Sequence, residues 1–286
     1  MTSPTDRLRT LARTVVEAYA AQCRPRAALL VGSAATGEAD RYSDVDLLLY
    51  YDEVPDESVL AEARAELGAE QFHGRRSPED GSYGERYYVH GVQHQVAHVP
   101  VRAAESEIAK LVGAVEVDEE LPKIVTGLLE GLPLHGGELI EGWRRDAAYT
   151  EVLQRAMIER HWRFFPWWYF QEKLRARDAT VWRHDVLVQS AYSIVGVLAA
   201  LNRVYFSTVE FKRAGKFLAQ LDVSPPDLPD RLELLFAGDE RASTDELERL
   251  VAETQALVGE RFPDLDLAIE WGGRPTPPGE RESPWA

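Results

Sequence analysis

The sequence predicts an α+β chain. A mixed sheet with flanking helices occupies residues 1–115, an all-helical bundle residues 116–270, and a flexible tail residues 271–286. Three observations predict this. Short apolar runs bounded by Gly and polar turns alternate with helical repeats up to about residue 115. Beyond that point the apolar residues recur at helical spacing. The last stretch, Gly272-Gly273-Arg274-Pro275-Thr276-Pro277-Pro278-Gly279, is too rich in Pro and Gly to pack.

Taken in order, Leu8, Leu11, Val15, Val16 and Tyr19 form one face of a first helix running from Thr5 to about Cys23, with Ser3 or Thr5 as its cap. Arg26 to Val31 reads as a strand, and the residues after Gly32-Ser33 open a short helix. Val45 to Tyr51 is a second, nearly continuous apolar strand. Glu57 to Gly68 is helical, with Gly68 where a terminating glycine belongs. Gln71-Phe72 gives a short strand, and Gly74 to Gly84 reads as a loop. Tyr87-Tyr88-Val89 and Val92 to Val99 flank His90-Gly91, a hairpin turn. Helices are then expected over Glu119–Glu130, Leu139–Arg163, Asp185–Asn202, Phe211–Gln220 and Thr244–Arg261, with Pro225-Pro226 and Pro229 breaking the last two apart.

Composition bounds the function. Of 286 residues, 45% are hydrophobic, enough for two cores, and no window reads as a membrane span of 18 or more apolar residues. The first residues carry no apolar signal segment, so a cytoplasmic protein is expected. A single cysteine, Cys23, excludes an internal disulfide framework and a Cys-based zinc site. The net charge of −16, from 48 acidic against 32 basic side chains, opposes general nucleic-acid binding, which needs a basic footprint. It suits a cationic small-molecule acceptor drawn to an acidic cleft, or simply an acidic surface.

The chemistry concentrates in one constellation. Leu30-Val31-Gly32-Ser33 runs a strand into a Gly-Ser turn, and Asp44-Val45-Asp46 opens the next strand. Strand side chains alternate faces, so the two aspartates converge. Converging carboxylates repel unless a cation sits between them, and Mg²⁺ is commonly held by one or two carboxylates plus substrate phosphates. The Gly-Ser turn offers backbone N–H groups and a hydroxyl to a phosphate oxygen. A metal–triphosphate site on Gly32, Ser33, Asp44 and Asp46 is therefore expected.

Gly-Ser, ten residues, then Asp-x-Asp on an apolar strand resembles the signature of the DNA polymerase β-like nucleotidyltransferase superfamily. Within it, the layout is similar to the small bacterial antibiotic (aminoglycoside and lincosamide) nucleotidyltransferases and their uncharacterised relatives. The resemblance implies an NTP, ATP first, as co-substrate with Mg²⁺, and transfer of an NMP to a hydroxyl of a small molecule. It also implies a helical domain placed against the catalytic one. There, Trp182-Arg183-His184-Asp185, Leu201-Asn202-Arg203-Val204-Tyr205-Phe206 and Glu210-Phe211-Lys212-Arg213 resemble the family's pattern, with Lys212, backed by Arg213, as the cation for the triphosphate.

One departure stands out. The superfamily usually carries a third carboxylate on a neighbouring strand, and the matching strand here, Val92 to Val99, has none; Gln95 occupies the position. A glutamine offers a metal one neutral oxygen and takes no proton. The base would then come from His98 or Asp185, or turnover would be slow, or the site would bind nucleotide without using it. Transfer to a protein hydroxyl is a further alternative. The aromatic block His161–Phe170, with seven aromatic rings, and the acids Glu172 and Asp178 fit either a packed seam or a stacking surface for a ring-bearing, cationic ligand.

Overall fold

A computed structural model of the chain describes residues 3–117, 120–166 and 178–269. The aromatic residues Trp167 to Phe170, Glu172 and the expected tail lie outside these. The described part divides into two compact units, Met1–Ala148 and Tyr149–Ala286.

The first unit is built on a six-stranded sheet of order β3-β4-β5-β2-β1-β6. Helix α1 (Pro4–Cys23) starts where Ser3 accepts a hydrogen bond from the Asp6 amide. Strand β1 (Ala27–Val31) leads into the five-residue helix α2 (Gly32–Thr36), and β2 (Val45–Tyr51) returns antiparallel to β1. Helix α3 (Glu57–Glu66) follows, with Gly68 just past its C-cap Leu67. Strands β3 (Glu70–Arg76), β4 (Tyr83–Val89) and β5 (Val92–Pro100) complete one side of the sheet. The β4–β5 turn is His90-Gly91, with φ of +51° and +74° matching the type that suits strand twist. Strand β5 lies parallel to β2, which makes the sheet mixed.

Both ends of the expected loop from Gly74 to Gly84 are strand, and only residues 77–82 are loop. Strand β3 extends to Arg76 and pairs antiparallel with β4, although all its residues are exposed, as an edge allows. A run of further elements closes the unit. Helix α4 (Val101–Ile108) runs on into a single π turn (Ala109–Gly113), then come α5 (Glu120–Glu130), β6 (Leu132–His135) and α6 (Gly137–Asp146). The expected boundary near 115 falls inside this unit, because β6 pairs with β1 and brings its flanking helices onto the sheet. The Arg144 side chain fastens the end of α5 by donating to the Leu128 and Gly131 carbonyls.

Strand alternation sorts the sheet into two faces. Val45, Leu47, Leu49, Tyr87 and Val96 pack with Leu8, Ala12, Val15, Tyr19 and Leu60 of α1 and α3 in the main core. Tyr50 lies on the opposite face, where its ring meets Trp143 of α6 edge-on at 4.7 Å.

In the second unit, α7 (Glu151–His161) is capped by Thr150, whose hydroxyl accepts from the Leu153 amide. The continuous helix expected over Leu139–Arg163 is therefore two helices. Helix α8 (Thr180–Leu201) packs against α7, α10 (Leu228–Ala237) and α11 (Glu240–Arg261). A 3₁₀ turn (Thr208–Arg213) and the short α9 (Ala214–Leu218) stand where one helix was expected. Contrary to the sequence expectation, α8 is long and apolar enough to cross a membrane by length and composition. Its most apolar window is 67% buried inside the protein, as a core helix is.

Candidate active site

The site is set by where β1 ends and β2 begins. Gly32 follows the last residue of β1 with φ of +69°, a conformation that side chains disfavour. A Cβ placed there would lie 2.9 Å from Asp46 Oδ2, so only glycine lets the chain pass so close to this carboxylate. Asp46 sits opposite Val31 on one side and Gln95 on the other. Asp44, just ahead of β2, is half-buried.

The Ser33 hydroxyl donates to Ser43 Oγ at 3.0 Å, and Ser43 donates onward to Asp40 Oδ1 at 3.2 Å. The same Ser43 oxygen accepts the Asp40 amide, and Asp40 Oδ1 accepts the Tyr42 amide, so the loop between the two strands is tied to itself. On the far side, Arg9 donates to the carbonyls of Ala34 and Ala35 and fixes α2 to α1. Ser43 and Arg9 position the Gly-Ser turn although neither has an evident motif role.

Asp44 has partners that sequence reasoning does not supply. Gln95 Nε2 donates to its Oδ2 at 2.8 Å, and Gln93 Nε2 reaches the same oxygen at 3.3 Å. Tyr88 in turn donates its hydroxyl to Gln93 Oε1 at 3.1 Å. A carboxylate only accepts, so both amides must turn their NH₂ ends to it. Arg86 lies directly opposite Gln95 across the β4–β5 pair and is exposed on the same face. The signal for Gln93 and Arg86 is their alternation with the buried residues, readable only once the pairing is known.

His98 is displaced from the role expected of it. Residues 95 and 98 fall on opposite faces of β5, and His98 is fully buried on the core side. Its Nδ1 meets the Tyr51 hydroxyl at 3.1 Å, and its Nε2 lies 3.2 Å from Glu85 Oε2. Glu85 is the hub of this buried cluster, pairing with the Arg64 guanidinium and accepting the Tyr19 hydroxyl. Burial drives the Tyr19 phenol far above its ordinary range, reinforced by Tyr87 and Glu85. His98 is therefore a structural member of the core and does not reach Asp44 or Asp46. His94, also buried on that face, is held below the ordinary imidazole range by desolvation.

Asp185, Lys212 and Arg213 belong to the second unit. Asp185 is exposed near the start of α8, and Lys212 and Arg213 are exposed at the end of the 3₁₀ turn. The structure thus brings together Gly32, Ser33, Asp44, Asp46 and Gln95.

Residues 8–117 match the family model of the nucleotidyltransferase domain. Over that stretch the chain is similar to nucleotidyltransferase domains of the polymerase β-like superfamily. The Gly-Ser turn, both aspartates and all three glutamine contacts lie within it. No curated protein matches the chain. Among solved structures, the chain is similar to a nucleotidyltransferase-like protein from Exiguobacterium sibiricum, at 13% identity and a TM-score of 0.37, covering 90% of this chain and 80% of that one.

Two carboxylates beside a glycine at positive φ offer oxygen ligands that fit a divalent ion. Among the described residues, no group of three His, Cys, Asp or Glu side chains is placed to hold a metal, so an ion caged by protein acids alone does not fit.

Proposed function

We propose that the chain is an Mg²⁺-dependent nucleotidyltransferase that moves an NMP, AMP from ATP, to a hydroxyl of a small and cationic molecule such as an antibiotic. The observation that carries this is the contact of Gly32 with Asp46. A glycine kept at positive φ lets the backbone pass close to a carboxylate, and the match of residues 8–117 to the nucleotidyltransferase model supports a nucleoside triphosphate as the ligand.

In this reading Asp44 and Asp46 hold the metal, which supplies charge compensation at the phosphates when bound. The Gly32 backbone and the Ser33 hydroxyl take phosphate oxygens; Ser33 rotates its one proton away from Ser43 to do so. Arg86 adds positive charge for the triphosphate. The acceptor oxygen forms a bond to the α-phosphorus as the bond to pyrophosphate breaks, and the acceptor proton passes to a base. Positioning and fixed charge carry most of the acceleration in such transfers.

Purified protein incubated with labelled ATP, Mg²⁺ and a panel of aminoglycosides and lincosamides should release pyrophosphate only with an acceptor present. Asp44→Ala and Asp46→Ala should each abolish release while leaving the far-UV spectrum and melting temperature near those of the wild type. Full activity in both variants would refute the assignment.

A second reading is favoured by one observation, the amide of Gln95 at the place of the third acid. The protein would then hold nucleotide without turnover, as a regulator. Calorimetric binding of MgATP with no pyrophosphate released for any acceptor, protein hydroxyls included, is the result that selects it.

A further inference from the structure

We propose that this site holds one divalent ion with its nucleotide, where two-ion transfer would need a third acid, and that Gln93, Gln95 and Arg86 enforce the difference. The inference rests on the nucleotide-binding reading above.

Four observations carry it. Gln95 stands beside Asp46 in the parallel β2–β5 register, on the same face as the carboxylates. Its NH₂ group donates to Asp44 Oδ2 at 2.8 Å, so the residue approaches the acids with protons and not with an oxygen. Gln93 places a second NH₂ on that same oxygen, held there by the Tyr88 hydroxyl on its carbonyl. An oxygen that accepts two amide protons has little lone-pair density left for a cation, which leaves Asp44 its other oxygen for an ion. Finally, Arg86 faces Gln95 from β4, so a fixed positive charge borders the position that a second cation would occupy.

The clamp has an electrostatic purpose. Two adjacent carboxylates repel in the absence of metal, and the two amides offset part of that repulsion by charge-assisted hydrogen bonds. The free enzyme thus keeps its aspartates aligned without an ion and recruits one together with the triphosphate. Gln93, Gln95 and Tyr88 are positioning residues in this scheme, acting through Asp44.

Mn²⁺ serves as the probe. Equilibrium dialysis and electron paramagnetic resonance on the full chain, saturated with a non-hydrolysable ATP analogue, should count one Mn²⁺ per wild-type protein. Gln95→Glu, which preserves shape at an exposed position, should count two. Without nucleotide, Gln95→Glu should melt at a lower temperature than the wild type, and Mn²⁺ should restore the loss, because a third carboxylate then faces Asp44. Gln95→Ala should remain at one ion and show no Mn²⁺-dependent recovery. Two ions in the wild type, or one in a folded Gln95→Glu protein with no Mn²⁺-dependent melting shift, would overturn the proposal while leaving nucleotide binding intact. A wild-type protein that binds no ATP analogue at all would overturn the nucleotide-site reading and this inference with it. Should Gln95→Glu fail to fold, Gln95→Asp is judged by the same ion count.

Discussion

Gly32→Ala tests the site through a single methyl group. Two costs follow from its surroundings. Forcing alanine into the left-handed region at φ +69° costs about 1–2 kcal/mol. The new Cβ would lie 2.9 Å from Asp46 Oδ2, so the carboxylate must swing off its preferred rotamer for roughly another 0.5–1.5 kcal/mol. Together these give a loss of about 1.5–3.5 kcal/mol, or on the order of 3–14 °C in melting temperature for a unit of this size. Gly37→Ala is the control. Gly37 also has a positive φ, +87°, but its Cβ would meet nothing within 4 Å, so only the backbone cost of about 1–2 kcal/mol applies. Differential scanning fluorimetry on both variants isolates the collision with Asp46, and calorimetry with MgATP shows its consequence. The Gly32 variant should lose nucleotide affinity and the Gly37 variant should keep it. Equal melting shifts with MgATP binding retained in both would refute the argument that Gly32 exists to clear the carboxylate.

Three further outcomes are expected. Glu85→Ala strips the buried Arg64 of its partner and should cost about 3–5 kcal/mol in urea unfolding, whereas Tyr19→Phe, which removes one donor from a carboxylate still paired with Arg64, should cost only about 1 kcal/mol. In the second unit, Gly196→Ala would place a methyl 2.4 Å from the His161 ring and should destabilise by roughly 1–3 kcal/mol; combining it with His161→Ala should recover part of that, measured as a non-additive double-mutant cycle. Burial, aided by Arg160 and Arg163, lowers the His161 pKa from 6.5 to about 4, so the unfolded chain binds a proton that the folded one refuses. Its contribution, of order 3 kcal/mol at most, is complete above pH 6.5 and is lost as the pH falls towards 4, so His161→Gln should flatten that part of the stability profile.

What the sequence discloses follows how local each signal is. The Ser3 cap, the His90-Gly91 turn, strand β2 and the glycine after α3 depend on neighbouring residues, and each forms where the local pattern puts it. Strand β6 does not. Leu132-Pro133-Leu134-His135 has no alternation of its own and becomes a strand because β1 offers it an open edge. The break between α6 and α7 hides in a continuous helical pattern and is made by the Thr150 cap. At the site, the two aspartates and the Gly-Ser turn are legible because one strand connection contains them all. The Glu85 cluster is not, since Tyr19 and Glu85 are 66 residues apart and nothing local couples them. His98 shows the intermediate case: its spacing of three from Gln95 already assigns it to the other face, but its partners there emerge only from the packing.

Strand β5 joins these two worlds. Its odd-numbered residues, Gln93 and Gln95, serve the carboxylates, while its even-numbered ones, His94 and His98, are sealed among Tyr87, Tyr19, Tyr51 and Glu85. A slip of one residue would send the glutamines inward and the histidines outward, taking His98 away from Glu85 and burying the glutamine amides in its place. The buried acid therefore works as an index pin. It penalises every alignment of β5 but one, and the accuracy with which two amides meet Asp44 is inherited from a cluster that no ligand touches.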